Sequence, residues 1–162
     1  MSELKPGPSQ VFLREEELRQ AMELLFYAYR DFTAEPDSIL AKSNFGRAHH
    51  RVIYFVGRHP HVTVSELLGI LRITKQSLSR VLSQLVGEGI VLQKAGTADR
   101  RQRLLHLTDK GRALEAELTG EQRARIAAAY KDAGAAAVEG FRRVLLGIMD
   151  GPARRRFAPV NP

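Results

Sequence analysis

Between residues 62 and 89 the sequence leaves room for only one kind of local structure. A short β-branched stretch, 62–64, is followed by Ser65 as a helix cap and by a helix of barely two turns over Glu66–Leu71. Thr74 caps a second helix, which carries an apolar stripe at i, i+3, i+4 and i+7 and ends in glycine. The stripe and the glycines are Leu78, Val81, Leu82, Leu85, Gly87 and Gly89. Two short helices joined by so tight a turn predict a helix-turn-helix.

A β-hairpin is predicted directly after these two helices. Ile90 to Lys94 has the composition of a strand, residues 95–99 carry turn chemistry, and Arg103–Leu107 has the composition of a returning strand. Because a two-stranded hairpin is marginal in isolation, it must lean on the helices beside it. The hairpin is therefore expected to form the wing of a winged helix-turn-helix.

Long helices are predicted on both sides of this central segment. Apolar residues recur at helical spacing from Val11 to Phe32, Pro36 is expected to end that helix, and Asp37 or Ser38 to cap the next one. After Thr108 a helical region runs to about residue 150, and Gly134 is expected to break it. Since neither flank can leave its apolar stripe in water, we expect these helices to pack together across a two-fold axis in a homodimer.

The fold class follows from this order of elements. It is mostly α with a small β-hairpin wing (α+β), a winged helix-turn-helix flanked by N- and C-terminal dimerisation helices. The expected divisions are a flexible N-terminal arm (1–10), N-terminal dimerisation and support helices (11–57), the winged helix-turn-helix lobe (58–112), C-terminal dimerisation helices (113–150) and a basic flexible tail (151–162).

Positive charge is concentrated in the central lobe. Ten basic and four acidic residues lie between Arg58 and Arg112, which leaves fifteen basic and fourteen acidic residues elsewhere. A concentrated positive field favours a polyanionic partner, because lysine and arginine displace counterions from phosphates. For charge alone, a well-solvated basic surface without a partner is an equally good interpretation.

Several functions are disfavoured by what the sequence lacks. It has no cysteine, so a disulfide, a thiolate nucleophile and a thiol-based sensor are excluded. No apolar run approaches the roughly 18 residues that span a bilayer, and the N-terminus lacks a signal-peptide core, so a cytoplasmic protein with no membrane partner is expected. Neither HExxH nor GxxxxGKS/T is present. We expect no cofactor and no enzymatic activity.

Paired histidines raise the question of a metal site. They are His49 with His50 and His59 with His61. Adjacent histidines on a helix point about 100° apart, and no cysteine or closely spaced carboxylate joins them. The sequence therefore predicts no metal site.

Two stretches resemble the MarR family of multiple-antibiotic-resistance-type transcriptional regulators. Asp99–Gly111 (DRRQRLLHLTDKG) is similar to the family's wing signature, D-x-R followed by L-T-x-x-G. Thr74–Gly89 resembles its recognition helix, including the S-R-x-L-x-x-L core. GRAHHR (Gly46–Arg51) and ITKQSL (Ile73–Leu78) resemble the PetP-like branch. The resemblance implies a homodimeric bacterial regulator, a repressor, that binds palindromic operator DNA.

The polar face of the recognition helix is predicted to enter the major groove. Opposite the leucine stripe lie Gln76, Ser79, Arg80 and Ser83, with Lys75 and Ser77 beside them at the N-terminal end. Arg80 can fork onto a guanine, a contact that contributes about 1–3 kcal/mol of discrimination, and Gln76 can read adenine. The alternative is an ordinary solvated helix face. A face rich in Ser and Gln rather than Glu and Lys, within a basic segment, disfavours it.

For the wing, the resemblance assigns a role to each charged residue. Asp99 would brace the loop and Arg101 would enter the minor groove, where negative potential is enhanced when the groove is narrow. Arg100 and Arg103 would contact phosphates or assist. Local pairing with Asp99 is the alternative for one arginine, but a single carboxylate cannot satisfy three.

The resemblance also implies a small anionic or phenolic effector between the dimer helices and the DNA-binding lobe. The candidate lining residues are Phe26, Tyr29, Arg30, His50, Arg51 and Tyr54. Packing of these residues in a core or a dimer seam is the favoured alternative. Two other functions stay open: an architectural nucleic-acid-binding protein without effector control and, less favoured, a small histidine-dependent enzyme.

Overall fold

The computed structural model describes residues 8–157; most of the predicted N-terminal arm and the end of the predicted tail lie outside them. After a 3-10 segment (Pro8–Leu13), the elements are α1 (Glu15–Ala41), α2 (Arg47–Arg58), β1 (Val62–Thr63), α3 (Val64–Leu71), α4 (Lys75–Gly87), β2 (Val91–Ala95), β3 (Arg103–Leu107), α5 (Asp109–Ala133), α6 (Ala135–Ile148) and α7 (Gly151–Arg155). The described residues are mostly helical with one small sheet, which confirms the predicted fold class. No helix among them is long and apolar enough to cross a membrane.

Helix α1 continues through Pro36, so the prediction that Pro36 ends it is wrong. A proline inside a helix has no N–H to donate to the carbonyl four residues earlier, here that of Phe32. The side-chain amide of Gln122 on α5 donates to this carbonyl instead, at 3.2 Å. Asp37 and Ser38 consequently lie within α1 and do not cap α2, whose N-cap is Gly46.

The helix-turn-helix forms as predicted, with one correction. Thr63, not Ser65, caps α3: its hydroxyl accepts from the Glu66 N–H at 3.1 Å, since Ser65 already lies inside the first turn. Thr74 caps α4 by accepting from the Ser77 N–H at 3.1 Å. Between the helices Arg72 takes a left-handed conformation (φ +52°), which makes the turn tight.

The predicted hairpin is part of a three-stranded antiparallel sheet in the order β1-β3-β2. Val62 pairs with Leu105, and β2 pairs with β3 from Val91 opposite Leu107 to Ala95 opposite Arg103. Buried side chains of this sheet join those of α2, α3 and α4 in one core. Its members include Val91, Leu105, Val52, Ile53, Leu67, Leu78 and Leu85. The core therefore fixes both the recognition helix and the base of the wing.

The chain divides into two compact units, Met1–Gln122 and Arg123–Pro162. Within the second unit, Gly134 (φ +85°) separates α5 from α6, and the rings of Tyr130 and Phe141 meet edge to face with centroids 6.1 Å apart. Residues 151–155, assigned above to a flexible tail, form α7. Arg154 explains this difference, because its guanidinium donates to the carbonyls of Leu146, Gly147 and Met149 at the end of α6.

Candidate nucleic-acid interface

Helix α4 presents a polar face to solvent because its apolar face is fully occupied by the core. Leu78, Val81, Leu82 and Leu85 are buried. On the other side, Lys75, Gln76, Ser79, Arg80 and Ser83 are exposed, as the helical spacing predicts. Within residues 8–157, the side chains of Gln76 and Arg80 have no hydrogen-bond partner. Ser77 is half-buried, and its hydroxyl accepts from that of Thr74 at 2.8 Å.

The C-terminal end of α4 is joined to the start of α5 by hydrogen bonds that the sequence did not predict. The Thr108 hydroxyl donates to the Gly89 carbonyl at 2.5 Å, and the Lys110 ammonium donates to the Glu88 carbonyl at 2.9 Å. Thr108 also accepts from the Gly111 N–H at 2.9 Å. A Cβ at Gly111 would lie 2.1 Å from the carbonyl oxygen of Ile90, so only glycine fits. The L-T-x-x-G signature thus couples the recognition helix to the segment that follows the wing.

The tip of the wing is closed by a short network around Asp99. A carboxylate oxygen of Asp99 accepts from the Arg101 N–H at 3.0 Å and lies 3.9 Å from the Arg101 Nε. The Asp99 carbonyl accepts from the Gln102 N–H at 3.1 Å, and the Gly96 N–H donates to the Gln102 carbonyl at 3.0 Å. The Arg101 side chain is nonetheless 97% exposed. The predicted wing cations, Arg100, Arg101 and Arg103, all face solvent.

Two histidines meet at the base of the wing. The rings of His61 and His106 pack edge to face with centroids 4.4 Å apart. Desolvation lowers the pKa of His106, and electrostatic repulsion from nearby His61 and Lys94 lowers it further. Across the described residues there is no group of three or more His, Asp or Glu side chains that could hold a metal ion.

The six candidate effector residues fall into two groups. Tyr29 and Arg51 meet: a guanidinium nitrogen of Arg51 donates to the Tyr29 hydroxyl at 3.1 Å. Arg47 lies over the Tyr29 ring at 5.8 Å and donates to Asp37 at 3.2 Å. His50 is half-buried on the same helix as these arginines. Burial lowers its pKa, nearby Asp37 and Glu115 oppose that shift, and Arg51 adds to it.

The other three candidates have different neighbours. Phe26 packs edge-on against Tyr27, with ring centroids 5.3 Å apart. Arg30 donates to Asp31 at 2.9 Å, which raises the Arg30 pKa, and its guanidinium lies 4.7 Å from the Tyr27 ring. Tyr54 packs edge-on against Phe55. The structure therefore brings two of the six candidates into direct contact.

The sequence is similar to known proteins of one family. The sequence profile described as MarR family matches residues 43–102. The HTH-type transcriptional regulator PetP of Rhodobacter capsulatus is 50% identical over 151 residues, which cover 93% of this chain and 91% of PetP.

Solved structures share the fold at low sequence identity. FabT of Streptococcus pneumoniae, crystallised with DNA, has a TM-score of 0.71 at 19% identity. The superposition covers 81% of this chain and 94% of the FabT chain. The MarR family protein Rv2887 of Mycobacterium tuberculosis, in complex with p-aminosalicylic acid, has a TM-score of 0.53 at 23% identity and covers 76% of this chain and 93% of its own.

The fold and the exposed basic face define a winged-helix, DNA-binding transcriptional regulator. The chain belongs to the MarR family.

Proposed function

We propose that the protein is a homodimeric repressor that binds a palindromic operator, with α4 in the major groove and the wing in the minor groove. The observation that carries the proposal is the rigid connection between two exposed surfaces. The core holds α4 and β3 together, while Gln76 and Arg80 on α4 and Arg101 in the wing loop before β3 project into solvent. A duplex offers both surfaces a partner, bases for the first and phosphates with a narrow groove for the second. The likeness in fold to FabT, crystallised with DNA, supports this use.

The case for a homodimer rests on apolar side chains that the single chain leaves in water. On α1 a stripe at helical spacing is exposed: Leu18, Met22, Leu25, Phe26 and Tyr29. On α6 the exposed apolar residues are Phe141, Val144 and Ile148. Each of these exposed apolar faces, taken by itself, has the character of an interaction site. A second copy supplies the same surfaces and a second recognition helix, and a palindromic site requires the two helices to lie about 34–36 Å apart.

We further propose that a small-molecule effector releases the protein from DNA. Arg47, Arg51 and the Tyr29 hydroxyl cluster on α1 and α2 beside half-buried His50, a set that suits a small anionic or phenolic molecule. The p-aminosalicylic acid held by Rv2887, a protein of the same fold, belongs to that chemical class. In a titration with salicylate, we expect the apparent DNA affinity to fall in the wild type and to fall less in Arg51→Ala.

A gel-shift series tests the proposal as a whole. DNA from upstream of the gene and a scrambled duplex of equal length are compared at 50 and 200 mM salt. We expect a preference for the upstream DNA by a factor of about 10³ or more. Binding should weaken steeply with salt. The slope of the logarithm of the binding constant against the logarithm of the salt concentration should be about −0.9 for each phosphate neutralised. Equal affinity for both duplexes would instead favour an architectural protein that binds DNA without regard to sequence.

A further inference from the structure

We propose that His49 is a positioning residue for operator recognition, which fixes the recognition helix α4 against the start of α2 through Gln84. The inference rests on the proposed operator binding, and it adds two residues that touch no DNA. His49 lies in the GRAHHR stretch, and neither the groove contacts nor the effector cluster includes its side chain.

The hydrogen-bond partners of His49 fix which ring nitrogen carries the proton. The Gly46 N–H donates to Nδ1 at 3.1 Å, and because a backbone N–H can only donate, Nδ1 must accept. In the neutral ring the proton then sits on Nε2. Nε2 lies 2.5 Å from the side-chain oxygen of Gln84 and donates to it. One imidazole therefore joins the N-cap of α2 to the recognition helix.

The ring of His49 is also held by packing. It stacks on Phe45, with centroids 4.8 Å apart and planes inclined by 18°. Phe45 is itself a member of the buried core. Two hydrogen bonds in the plane of the ring and one aromatic contact on its face leave the imidazole a single orientation.

Gln84 is well placed to transmit this orientation to the groove-facing side chains. It lies one helical turn after Arg80 and next to Ser83, both on the exposed polar face of α4. Packing of the apolar stripe fixes α4 against the core, but each apolar contact depends only weakly on angle. A hydrogen bond loses strength when its angle changes, so the contact between His49 and Gln84 resists small rotations of the helix about its axis.

Contacts with base edges need this precision, whereas contacts with phosphates do not. Bidentate recognition of a base depends on distances and angles, while phosphate contacts depend mainly on charge. Loss of the contact between His49 and Gln84 should therefore reduce the preference for operator over scrambled DNA and leave the affinity for scrambled DNA unchanged.

The test compares dissociation constants for operator and scrambled duplexes in the wild type and four variants. Gln84→Ala removes the acceptor at an exposed position. His49→Asn keeps an acceptor near Gly46 but is too short to reach α4. The double variant completes the cycle, and His59→Asn, which removes an exposed histidine at the other end of α2, is the matched control. We expect each single variant to lose about three- to tenfold in operator preference, the worth of one hydrogen bond. The double variant should lose no more than either single one.

A rescue variant separates positioning from general damage to the fold. Gln84→Glu offers a carboxylate to Nε2 of His49. This variant should keep the wild-type ratio of operator to scrambled affinity that Gln84→Ala loses. Its added negative charge weakens binding to both duplexes alike. Unchanged preference in both single variants, or losses that multiply in the double variant, would overturn the inference while leaving operator binding intact. A wild-type chain with no operator preference would overturn the proposed function and this inference together.

Discussion

Helices α4 and α6 expose opposite kinds of side chain. In α4 four apolar residues are buried and the exposed face is polar, whereas no residue of α6 is buried and Phe141, Val144 and Ile148 are exposed. A helix whose apolar side chains are already buried and whose exposed face is polar suits a polar, charged partner. An exposed apolar face calls for protein surface. The two helices thus differ as the proposed function requires, with α4 suited to DNA and α6 suited to a second copy of the chain.

Truncation of a buried residue of α4 is expected to have the largest effect. Leu78→Ala removes a fully buried side chain from the core that holds α4, and should lower the free energy of unfolding by about 2–5 kcal/mol. Val144→Ala on α6, where the side chain is 62% exposed, should change the stability of the isolated chain little. Urea unfolding at low protein concentration measures both. Similar losses in the two variants would contradict the distinction between the helices.

A charge placed on the apolar stripe of α1 should separate the two copies. Met22 is 68% exposed in the single chain, and in the proposed dimer Met22→Asp would bury an unpaired carboxylate. We expect the dimer dissociation constant to rise by about tenfold or more, as measured by sedimentation equilibrium. Leu92→Asp, at an exposed apolar position of β2 in the wing, is the control and should leave the mass unchanged. If the Met22→Asp variant remained dimeric, α1 would not be part of the dimer interface.

Two arginines of the DNA-binding surface should differ in the kind of affinity they supply. Arg80→Ala should weaken operator binding by about 1–3 kcal/mol and relax the preference at one base position. Arg100→Ala should weaken binding to operator and scrambled DNA equally and make the salt slope shallower by about one unit per chain. Binding titrations on both duplexes at several salt concentrations distinguish these outcomes. Equal loss on both duplexes for Arg80→Ala would place Arg80 among the phosphate contacts.

A smaller effect is expected where Gln122 compensates for Pro36. Gln122→Ala leaves the partly buried carbonyl of Phe32 without its donor and should cost about 1–2 kcal/mol of stability. In a Pro36→Ala background, the restored N–H of residue 36 can donate to that carbonyl, so the same change should cost less. Urea unfolding of the four chains gives the coupling. Equal costs in both backgrounds would show that Gln122 acts through other contacts.

This pair also shows where sequence reasoning fails. Thr74, Gly87 and β3 were predicted from sequence because their signals are local: a cap, a glycine stop and a β-rich stretch. The polar face of α4 followed from helical periodicity alone. The local rule that a proline ends a helix fails at Pro36. Gln122, ninety positions after Phe32, donates to the carbonyl that the proline leaves without a donor, and no spacing in the sequence links these residues. The contact between His49 and Gln84, and the ties made by Thr108 and Lys110, were missed for the same reason: only the tertiary fold brings their atoms together.

The smallest expected effect concerns pH and the effector cluster. Because burial lowers the pKa of His50 in the folded chain, the unfolded chain binds a proton there first as the pH falls. Folding stability from this residue is fully present above the ordinary histidine pKa of about 6.5 and is lost as the pH falls through the lower folded value. His106, whose pKa is lowered by desolvation, contributes with the same sign.

His50→Gln should therefore make the free energy of unfolding less dependent on pH between about pH 7 and 5, and combining it with His106→Gln should flatten the profile further. His59→Gln, at an exposed histidine outside both clusters, is the control. Urea unfolding across this range is the measurement. A wild-type profile that stays flat, or one whose stability rises as the pH falls, would mean that neither ring is desolvated enough to resist protonation. The cluster of Tyr29, Arg51 and His50 would then be too open to water to favour an organic anion over buffer ions.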